Sequence, residues 1–178
     1  MITSDSFHID FLKQEEAKSV SEMMVSNQDI FKRYFPITLF KNKSLEDSLN
    51  FIKEKNKQNQ EKTEFTFGIK EKLTSKIVGL IIIKEIDWET KQGEFAYCIS
   101  SEFENRGWMS KAIALTSKYG FEVLGFEKFQ IIAHKSNVGS CKVAENCNFK
   151  WIKTLINEYT PPNENPLDME LYELEYER

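Results

Sequence analysis

The sequence predicts a mixed α/β (α+β) fold, in which helices flank both faces of a mostly antiparallel central sheet. Residues 65–69 and 76–86 are two strand-like runs joined by a short polar turn, which is the pattern of a β-hairpin. From residue 92 onwards, strand-like runs alternate with helical ones. Early hairpins followed by alternating strands and helices are typical of a mixed sheet that packs against helices.

The first forty residues predict a strand, a helix and an aromatic segment. Residues 7–12 alternate imperfectly between polar and apolar side chains, which favours a strand. Residues 15–26 carry apolar side chains at helical spacing. Residues 30–40 are rich in aromatic side chains, and Pro36 interrupts them.

The next helix is predicted to begin after Ser44, because a serine hydroxyl is a good N-cap. Leu45, Leu49 and Ile52 then share one helical face. The polar run 55–62 is expected to end this helix as a solvated segment.

The strand at 76–86 is predicted to be covered on both faces, because Val78 and residues 80–83 are almost continuously apolar. The remaining predicted elements are a strand at 92–100, a helix at 109–124, a strand at 128–134, a helix at 138–147 and a hairpin at 149–157 and 167–176. These elements give the alternation of strands and helices on which the predicted fold class depends.

Composition and charge limit the classes of function. The chain has 178 residues, of which 40% are hydrophobic and 29% charged, and this fits one globular domain. A net charge of -4 and the lack of a basic tract argue against nucleic acid as a direct partner. No apolar run is long enough to span a membrane and the start lacks a signal-peptide pattern, so no membrane partner is expected.

Cysteine usage indicates the redox compartment. Cys98, Cys141 and Cys147 are an odd number of thiols without the spacing of a metal site. We therefore expect reduced thiols, a cytoplasmic location and no metal. Cys141 and Cys147 are predicted to pack as small apolar groups on a helix. The sequence leaves open whether two chains form a homodimer.

The stretch 104–112 joins a strand to a helix and contains Gly107. The first amides of such a helix lack acceptors and lie at the positive end of its dipole, roughly +0.5 charge. A phosphate group is a natural ligand there, and Arg106 and Lys111 add positive charge. Alternatively, Gly107 only makes the bend. The sequence contains neither G-x-x-x-x-G-K-S/T nor G-x-G-x-x-G, which argues against a nucleotide triphosphatase or a dinucleotide site.

The same stretch resembles motif A of the GNAT acyltransferases, Q/R-x-x-G-x-G/A, whose loop surrounds the pyrophosphate of acetyl-coenzyme A. Glu104 stands where Gln or Arg is usual, and this acid has to turn away from a pyrophosphate. Met109 stands where Gly or Ala is usual, but its amide remains available. The resemblance implies that the binding amides come from Asn105, Arg106, Gly107, Trp108, Met109 and Ser110.

More narrowly, the chain is similar to the RimJ/RimL type of this family, through Arg33-Tyr34-Phe35-Pro36 and through residues 45–52. The similarity covers nearly the whole chain and implies a GNAT fold, with residues 1–178 as a single acetyltransferase domain. It also implies that strand amides around Cys98, Ile99 and Ser100 hold the pantetheine arm and polarise the thioester carbonyl.

Asn137 and Ser140 follow the strand that ends at His134. In the simplest interpretation, one of them caps the next helix. The resemblance implies that Asn137 hydrogen-bonds the pantetheine or phosphate arm and that Ser140 donates a proton to the leaving thiolate. Asn148 stands before Phe149, where Gly is usual, and Asn tolerates the left-handed conformation that Gly supplies there.

Glu94 is the candidate general base. From composition alone it is an exposed carboxylate at a strand edge. The resemblance of Glu94-Phe95-Ala96-Tyr97 to the family pattern implies that Glu94 takes a proton from the attacking amine, directly or through water. This role requires burial to raise the pKa of Glu94, because an ordinary carboxylate is a weak base.

The resemblance implies an N-acetyltransferase that moves an acetyl group from acetyl-coenzyme A to a primary amine, by direct transfer in a ternary complex. Candidate acceptors are a protein N-terminus, a polyamine, an amino sugar and an antibiotic. Deprotonation at neutral pH costs about 1 kcal/mol for an α-amine and about 4–5 kcal/mol for a lysine-like amine, so the protein N-terminal α-amine is slightly favoured.

Two other functions stay open at this point. One is a non-catalytic domain that binds or senses acetyl-coenzyme A, which the irregular Glu104 and Met109 suggest. The other is a cysteine hydrolase, with Cys98 as the nucleophile and His134 as the base.

Overall fold

Residues 1–177 are described by the computed structural model, and they form eight strands and six α-helices. The strands are β1 (Ile2–Thr3), β2 (Phe7–Phe11), β3 (Phe65–Glu71), β4 (Ile77–Asp87), β5 (Gln92–Ile99), β6 (Lys128–Ala133), β7 (Lys150–Tyr159) and β8 (Leu167–Glu175). The helices are α1 (Ala17–Ser26), α2 (Gln28–Tyr34), α3 (Pro36–Phe40), α4 (Leu45–Glu61), α5 (Trp108–Tyr119) and α6 (Val138–Asn146).

The strands pair in the order β1-β2-β3-β4-β5-β6-β8-β7. β5 and β6 are parallel, whereas β1 with β2, β2 with β3, β6 with β8 and β7 with β8 are antiparallel. The register places Glu94 of β5 opposite Gln130 of β6, and Gln130 opposite Glu173 of β8. The prediction of a mixed sheet with helices is confirmed.

The chain divides into two compact units, of which the first comprises Met1–Ile82 and Tyr97–Arg106. Its core is built from the apolar faces of α1 and α4 together with strand residues. The helical spacing of 15–26 explains why Val20 and Met24 are fully buried on one face of α1. From α4, Phe51 and Ile52 enter the same core.

The second unit comprises Ile83–Ala96 and the chain from Gly107 onwards, and its core is aromatic. The ring of Phe129 on β6 lies 4.5 Å from that of Phe95, 5.0 Å from that of Phe121 and 4.9 Å from that of Phe126, measured between centroids. Successive side chains of a strand point to opposite faces. Burial of Phe95 in this core therefore directs its neighbour Glu94 to the other face of β5.

The prediction that the polar run 55–62 ends the fourth helix is wrong, because α4 continues to Glu61. Lys, Gln and Glu are good helix formers, so a polar sequence does not by itself end a helix. Lys55 is also only 8% exposed, since its ammonium pairs with Glu64 at 2.7 Å and lies over the Phe51 ring. The helix ends at Lys62, which has a left-handed φ of 56°.

Other elements follow the predictions closely. All residues of β4 from Ile77 to Ile83 are buried, as the continuous apolar run predicted. The Ser44 hydroxyl caps α4 by accepting the Asp47 amide at 3.1 Å. No helix was predicted for the aromatic segment 30–40, but it contributes to two short helices, and Pro36 begins the second of them, where a proline fits. The predicted helix 109–124 is α5 followed by a π-helical turn, Gly120–Leu124.

Candidate functional site

The start of α5 is shaped by two residues with left-handed backbone angles. A short 3-10 turn, Ser101–Phe103, follows β5. Asn105 then has a φ of 58°, and Gly107, the N-cap of α5, has a φ of 72°. The Lys111 amide donates to the Gly107 carbonyl at 3.0 Å, so the amides before it lack helical acceptors. The predicted strand–turn–helix geometry is therefore present.

The electrostatics of this helix start suit an anion. Within the described residues, no side chain caps α5 at Gly107 and no acidic residue lies in its first turn. The positive end of the helix dipole is consequently left uncompensated. A Cβ added to Gly107 would meet no atom within 4 Å, so space is open beside the backbone there. Both features favour the phosphate interpretation over a simple bend.

Arg106 and Glu104 flank this turn on the surface. The Arg106 guanidinium is exposed and lies 5.1 Å from the Phe103 ring centroid, and it forms no ion pair within residues 1–177. Its charge is therefore available to a ligand. Glu104 is also exposed. Its carboxylate can remain in solvent, as the departure from the family pattern requires.

Met109 and Ser110 are fixed in the first turn of α5. The Met109 side chain is 7% exposed, so this bulky residue fills the protein interior. The Ser110 carbonyl accepts a hydrogen bond from the Cys147 thiol at 3.1 Å, and the Ser110 hydroxyl accepts one from Asn146 at 3.4 Å. These contacts hold the start of α5 to the end of α6. Burial raises the pKa of the Cys147 thiol to about 11, in line with its predicted apolar packing.

Asn137 caps α6, which confirms the simplest interpretation of its sequence position. Its Oδ1 accepts the Ser140 amide at 3.2 Å, and its own amide donates to the His134 carbonyl at 2.7 Å. The Nδ2 group of Asn137 makes no hydrogen bond within residues 1–177. Capping thus uses one end of the side chain and leaves two N–H donors for another partner. Ser140 is half-buried in the first turn of α6.

Glu94 lies in an interior strand of the sheet, so the interpretation as an exposed strand-edge carboxylate is wrong. Its side chain is 14% exposed, and Oε1 lies 2.7 Å from the Lys84 ammonium of β4. Burial raises the pKa of Glu94, the positive charge of Lys84 opposes this, and the negative charges of Glu85 and Glu158 add to it. The net direction is upward, as a general base requires.

The residues predicted to hold the pantetheine arm lie at the end of β5 and directly after it. Ile99 ends β5 and is half-buried. The Ser100 amide already donates to the Val78 carbonyl at 2.8 Å, so this amide is not available to a ligand. The Ser100 carbonyl accepts the Phe103 amide, and its hydroxyl accepts a hydrogen bond from Asn27. Ser100 therefore has a structural role in this geometry.

Cys98 has the properties of a core residue. It is 7% exposed within the core of the first unit, and burial raises its pKa to about 12. Thiolate is the nucleophilic form of cysteine, so this thiol is poorly reactive at neutral pH. The Nδ1 atom of His134 accepts the Ser136 amide at 3.2 Å and contacts the Ser136 hydroxyl at 2.7 Å. Both observations argue against a cysteine hydrolase.

Three charged neighbours of Glu94 were not predicted from the sequence, namely Lys84, Glu85 and Glu158. Lys84 and Glu85 follow the buried run of β4, and Glu158 lies on β7. A lysine directly after seven buried strand residues was an available signal, because a charge so close to a core needs a partner. Glu158 had no such signal, since it comes from a distant segment of the chain.

Two classes of feature are absent from the described part of the chain. Among the helices of residues 1–177, none has the length and apolar character needed to cross a membrane. The same residues contain no cluster of three or more His, Cys, Asp or Glu side chains placed to hold a metal ion.

Comparison with known proteins gives a family match and related folds. Residues 8–150 match the family model described as acetyltransferase (GNAT) domain. Spermidine N(1)-acetyltransferase of Escherichia coli K12 is 30% identical over 81 residues. That match covers 46% of this chain and 44% of the relative, so the chain matches less than half the length of this curated relative.

Solved structures share the fold across almost the whole chain. The ribosomal L7/L12 α-N-protein acetyltransferase RimL, solved with coenzyme A, has a TM-score of 0.88 at 14% identity and covers 97% of this chain and 95% of its own. The microcin C7 self-immunity acetyltransferase MccE, solved with acetyl-coenzyme A and AMP, has a TM-score of 0.86 at 22% identity and covers 97% and 94%. At these identities the likeness establishes the fold alone.

Proposed function

The chain belongs to the GNAT acetyltransferase domain family, and we propose that it is an N-acetyltransferase that uses acetyl-coenzyme A to acetylate a primary amine. The observation that carries this proposal is the start of α5, where no side chain of the described residues caps the helix and Gly107 leaves open space. A helix start without a capping side chain favours the binding of phosphate, which supports the proposal.

The residues around this turn are the proposed site for the diphosphate of coenzyme A. We assign the amides of Gly107, Trp108, Met109 and Ser110 to the diphosphate oxygens, with Asn105 and Arg106 completing the loop. The Nδ2 group of Asn137 is assigned to the pantetheine or phosphate arm, because its two donors have no protein partner among residues 1–177. Acetyl-coenzyme A would supply an activated thioester as the acetyl donor, and no metal is involved in the proposal.

Glu94 is assigned as the general base and Ser140 as the proton donor to the departing thiolate. An acceptor amine arrives mainly as an ammonium ion, which has no lone pair with which to attack. Glu94 supports this role because its carboxylate is largely buried with a raised pKa, so it accepts a proton more readily than an ordinary glutamate. Transfer then occurs directly, within a complex of enzyme, donor and acceptor.

The proposed acceptor is a primary amine. A protein N-terminal α-amine is preferred because its deprotonation at neutral pH costs less free energy than that of a lysine-like amine. The partial match to a spermidine acetyltransferase supports including polyamines among the candidates. We also propose a cytoplasmic location, which the three cysteines without disulfide bonds support. The proposal includes no nucleic-acid or membrane partner. Sedimentation of the purified chain distinguishes a monomer from a homodimer.

An amine screen tests the proposal. The enzyme is incubated with acetyl-coenzyme A and, in separate reactions, with peptides that have a free N-terminus, with spermidine and with an amino sugar. We expect release of free thiol with at least one acceptor and an acetylated product by mass spectrometry. Binding of acetyl-coenzyme A without thiol release from any acceptor would favour the sensing domain. Met109 no longer supports that alternative, because its side chain is buried.

A further inference from the structure

Lys84 is the first partly exposed side chain after the buried part of β4. Its ammonium lies 2.7 Å from Oε1 of Glu94, with the two side chains 36% and 14% exposed. The pair therefore joins a partly solvated cation to a largely buried carboxylate. Such a cation affects the ionisation of its partner strongly, because little water screens the carboxylate.

The other neighbours of Glu94 in the described chain do not pair with its carboxylate. Among residues 1–177, Lys84 is the one side chain that forms a hydrogen bond or ion pair with Glu94. Gln130 lies opposite Glu94 on β6, but its amide donates to Glu173 of β8 at 2.7 Å. The Glu94 carboxylate can accept up to about four hydrogen bonds, so it retains capacity for an incoming amine.

The charges around Glu94 act in opposite directions. Glu85 of β4 and Glu158 of β7 both repel its ionised form, and burial disfavours that form further. These three influences raise the pKa of Glu94, and the charge and hydrogen bond of Lys84 are the influences that lower it. On β8, Glu173 is engaged by Gln130 and by Lys128. Lys84 alone therefore counteracts the tendency of Glu94 to become protonated and unable to act as a base.

We propose that Lys84 is a positioning residue for Glu94, whose ammonium keeps the carboxylate ionised and oriented to receive a proton from the acceptor amine. This inference rests on the proposed role of Glu94 as the base. In the step concerned, the acceptor ammonium gives one proton to a Glu94 oxygen, and the resulting amine forms the bond to the acetyl carbon. Its second proton is lost to solvent as the amide forms. The bond from that carbon to sulfur breaks, and the thiolate leaves. Lys84 keeps its own proton throughout.

A direct test follows the ionisation of Glu94 without requiring turnover. Carboxyl carbon resonances are titrated by NMR in the wild-type protein and in Lys84→Met, with the Glu94 signal identified by its loss in Glu94→Gln. We expect the Glu94 midpoint to move to higher pH in Lys84→Met and to stay near its wild-type position in Lys84→Arg. Lys91→Met is the matched control, because it removes a 2.8 Å ion pair with Glu127 in the same unit. An unmoved Glu94 midpoint in folded Lys84→Met would overturn the inference.

Kinetics provide the second readout. In Lys84→Met, kcat/KM at acidic pH should fall about tenfold, because an opposite charge at this distance changes carboxyl proton affinity by about that factor or more. At alkaline pH the activity should approach that of the wild type, and Lys84→Arg should restore the profile. A loss that is equal at every pH would indicate a merely structural role and contradict the inference. If no amine is acetylated by the wild type, the proposed function fails, while the NMR titration still decides the role of Lys84.

Discussion

Asn27 in the first compact unit and Asn137 in the second differ in how fully their side chains are hydrogen-bonded. In the first unit, the side chain of Asn27 forms hydrogen bonds at both ends, with the Met23 carbonyl, two serine hydroxyls and the Ser101 amide. In the second unit, α5 begins at Gly107 without a cap, and the Nδ2 group of Asn137 has no partner within residues 1–177. Gly107 is exposed and Asn137 is half-buried, so these donors are accessible from solvent and available to a ligand.

The starts of α4 and α5 also differ in how fully their polar groups are satisfied. The first turn of α4 contains Glu46 and Asp47, and the Ser44 hydroxyl both accepts the Asp47 amide and donates to its carboxylate. The acidic and capping side chains of α4 therefore compensate the positive end of its dipole. The first turn of α5 has no acidic residue and no capping side chain in the described residues. The start of α4 is thus compensated by its own side chains and stabilises the fold, whereas the start of α5 is available for binding.

The largest expected effect concerns Glu94. Glu94→Gln keeps the size of the side chain but cannot accept the proton, so turnover should fall about 10²–10⁴-fold. Activity should partly recover at high pH, where the acceptor amine is already deprotonated. In the wild type, activity should be lost as pH falls through the raised pKa of Glu94, at higher pH than for an ordinary glutamate.

Steady-state rates between acidic and alkaline pH measure this effect, with the exposed Glu89→Gln as the control. Ser140→Ala should also slow turnover but should not recover at high pH, because its defect is in protonation of the thiolate. A wild-type rate and pH profile in Glu94→Gln would place the base elsewhere.

The next effect concerns binding at Gly107. Gly107→Asp and Gly107→Asn impose the same backbone cost and nearly the same volume, but only Asp adds a negative charge. We expect acetyl-coenzyme A to bind Gly107→Asp at least about tenfold more weakly, or 1.4 kcal/mol, than it binds Gly107→Asn. Titration calorimetry measures the difference. Equal affinities in the two variants would mean that no anion binds beside this residue.

A smaller effect separates the two ends of Asn137. Asn137→Ala should lower stability by about 1 kcal/mol through the lost cap and should also weaken binding of acetyl-coenzyme A. Asn137→Ser keeps a capping oxygen and lacks the Nδ2 donors, so its stability should be retained while affinity falls about two- to tenfold. Thermal melting and calorimetry on both variants give these values. Undiminished affinity in Asn137→Ser would leave Asn137 as a cap only.

The smallest effect on affinity is expected from Asn27 in the first unit. Asn27→Ala removes a buried side chain that is hydrogen-bonded at both ends, which should cost about 1–3 kcal/mol of stability. Under conditions where the variant stays folded, binding of acetyl-coenzyme A should not change. Urea unfolding and calorimetry check the two parts. A loss of affinity as large as that of Gly107→Asp would remove the contrast between the units.

The sequence predicted those features that local patterns determine. Alternation, helical spacing and capping residues located most elements, and the turn at Gly107 was visible because one glycine separates a strand from a helix. Contacts between distant segments were not predictable in this way. The prediction that α4 ends in a solvated segment was wrong because Lys55 pairs with Glu64 beyond the helix.

The candidate site shows the same division. Glu94, Asn137 and Ser140 were found through family resemblance, and local reasoning alone favoured a surface carboxylate and a helix cap. The hydrogen bond from the Ser100 amide to Val78 depends on strand pairing, so no local pattern shows it. The ion pair of Lys84 with Glu94 joins two strands across a turn, and the position of Lys84 directly after an apolar run was its one local signal.

The most direct test of the account follows backbone amides during titration with acetyl-coenzyme A. In ¹⁵N-resolved NMR spectra, we expect large shifts for the amides of Gly107, Met109 and Ser110 at the start of α5. The amides of Asp47 and Ser48 at the start of α4 should stay in place, because that helix start is already capped. Binding that leaves the amides of α5 unshifted would contradict the assignment of the phosphate site.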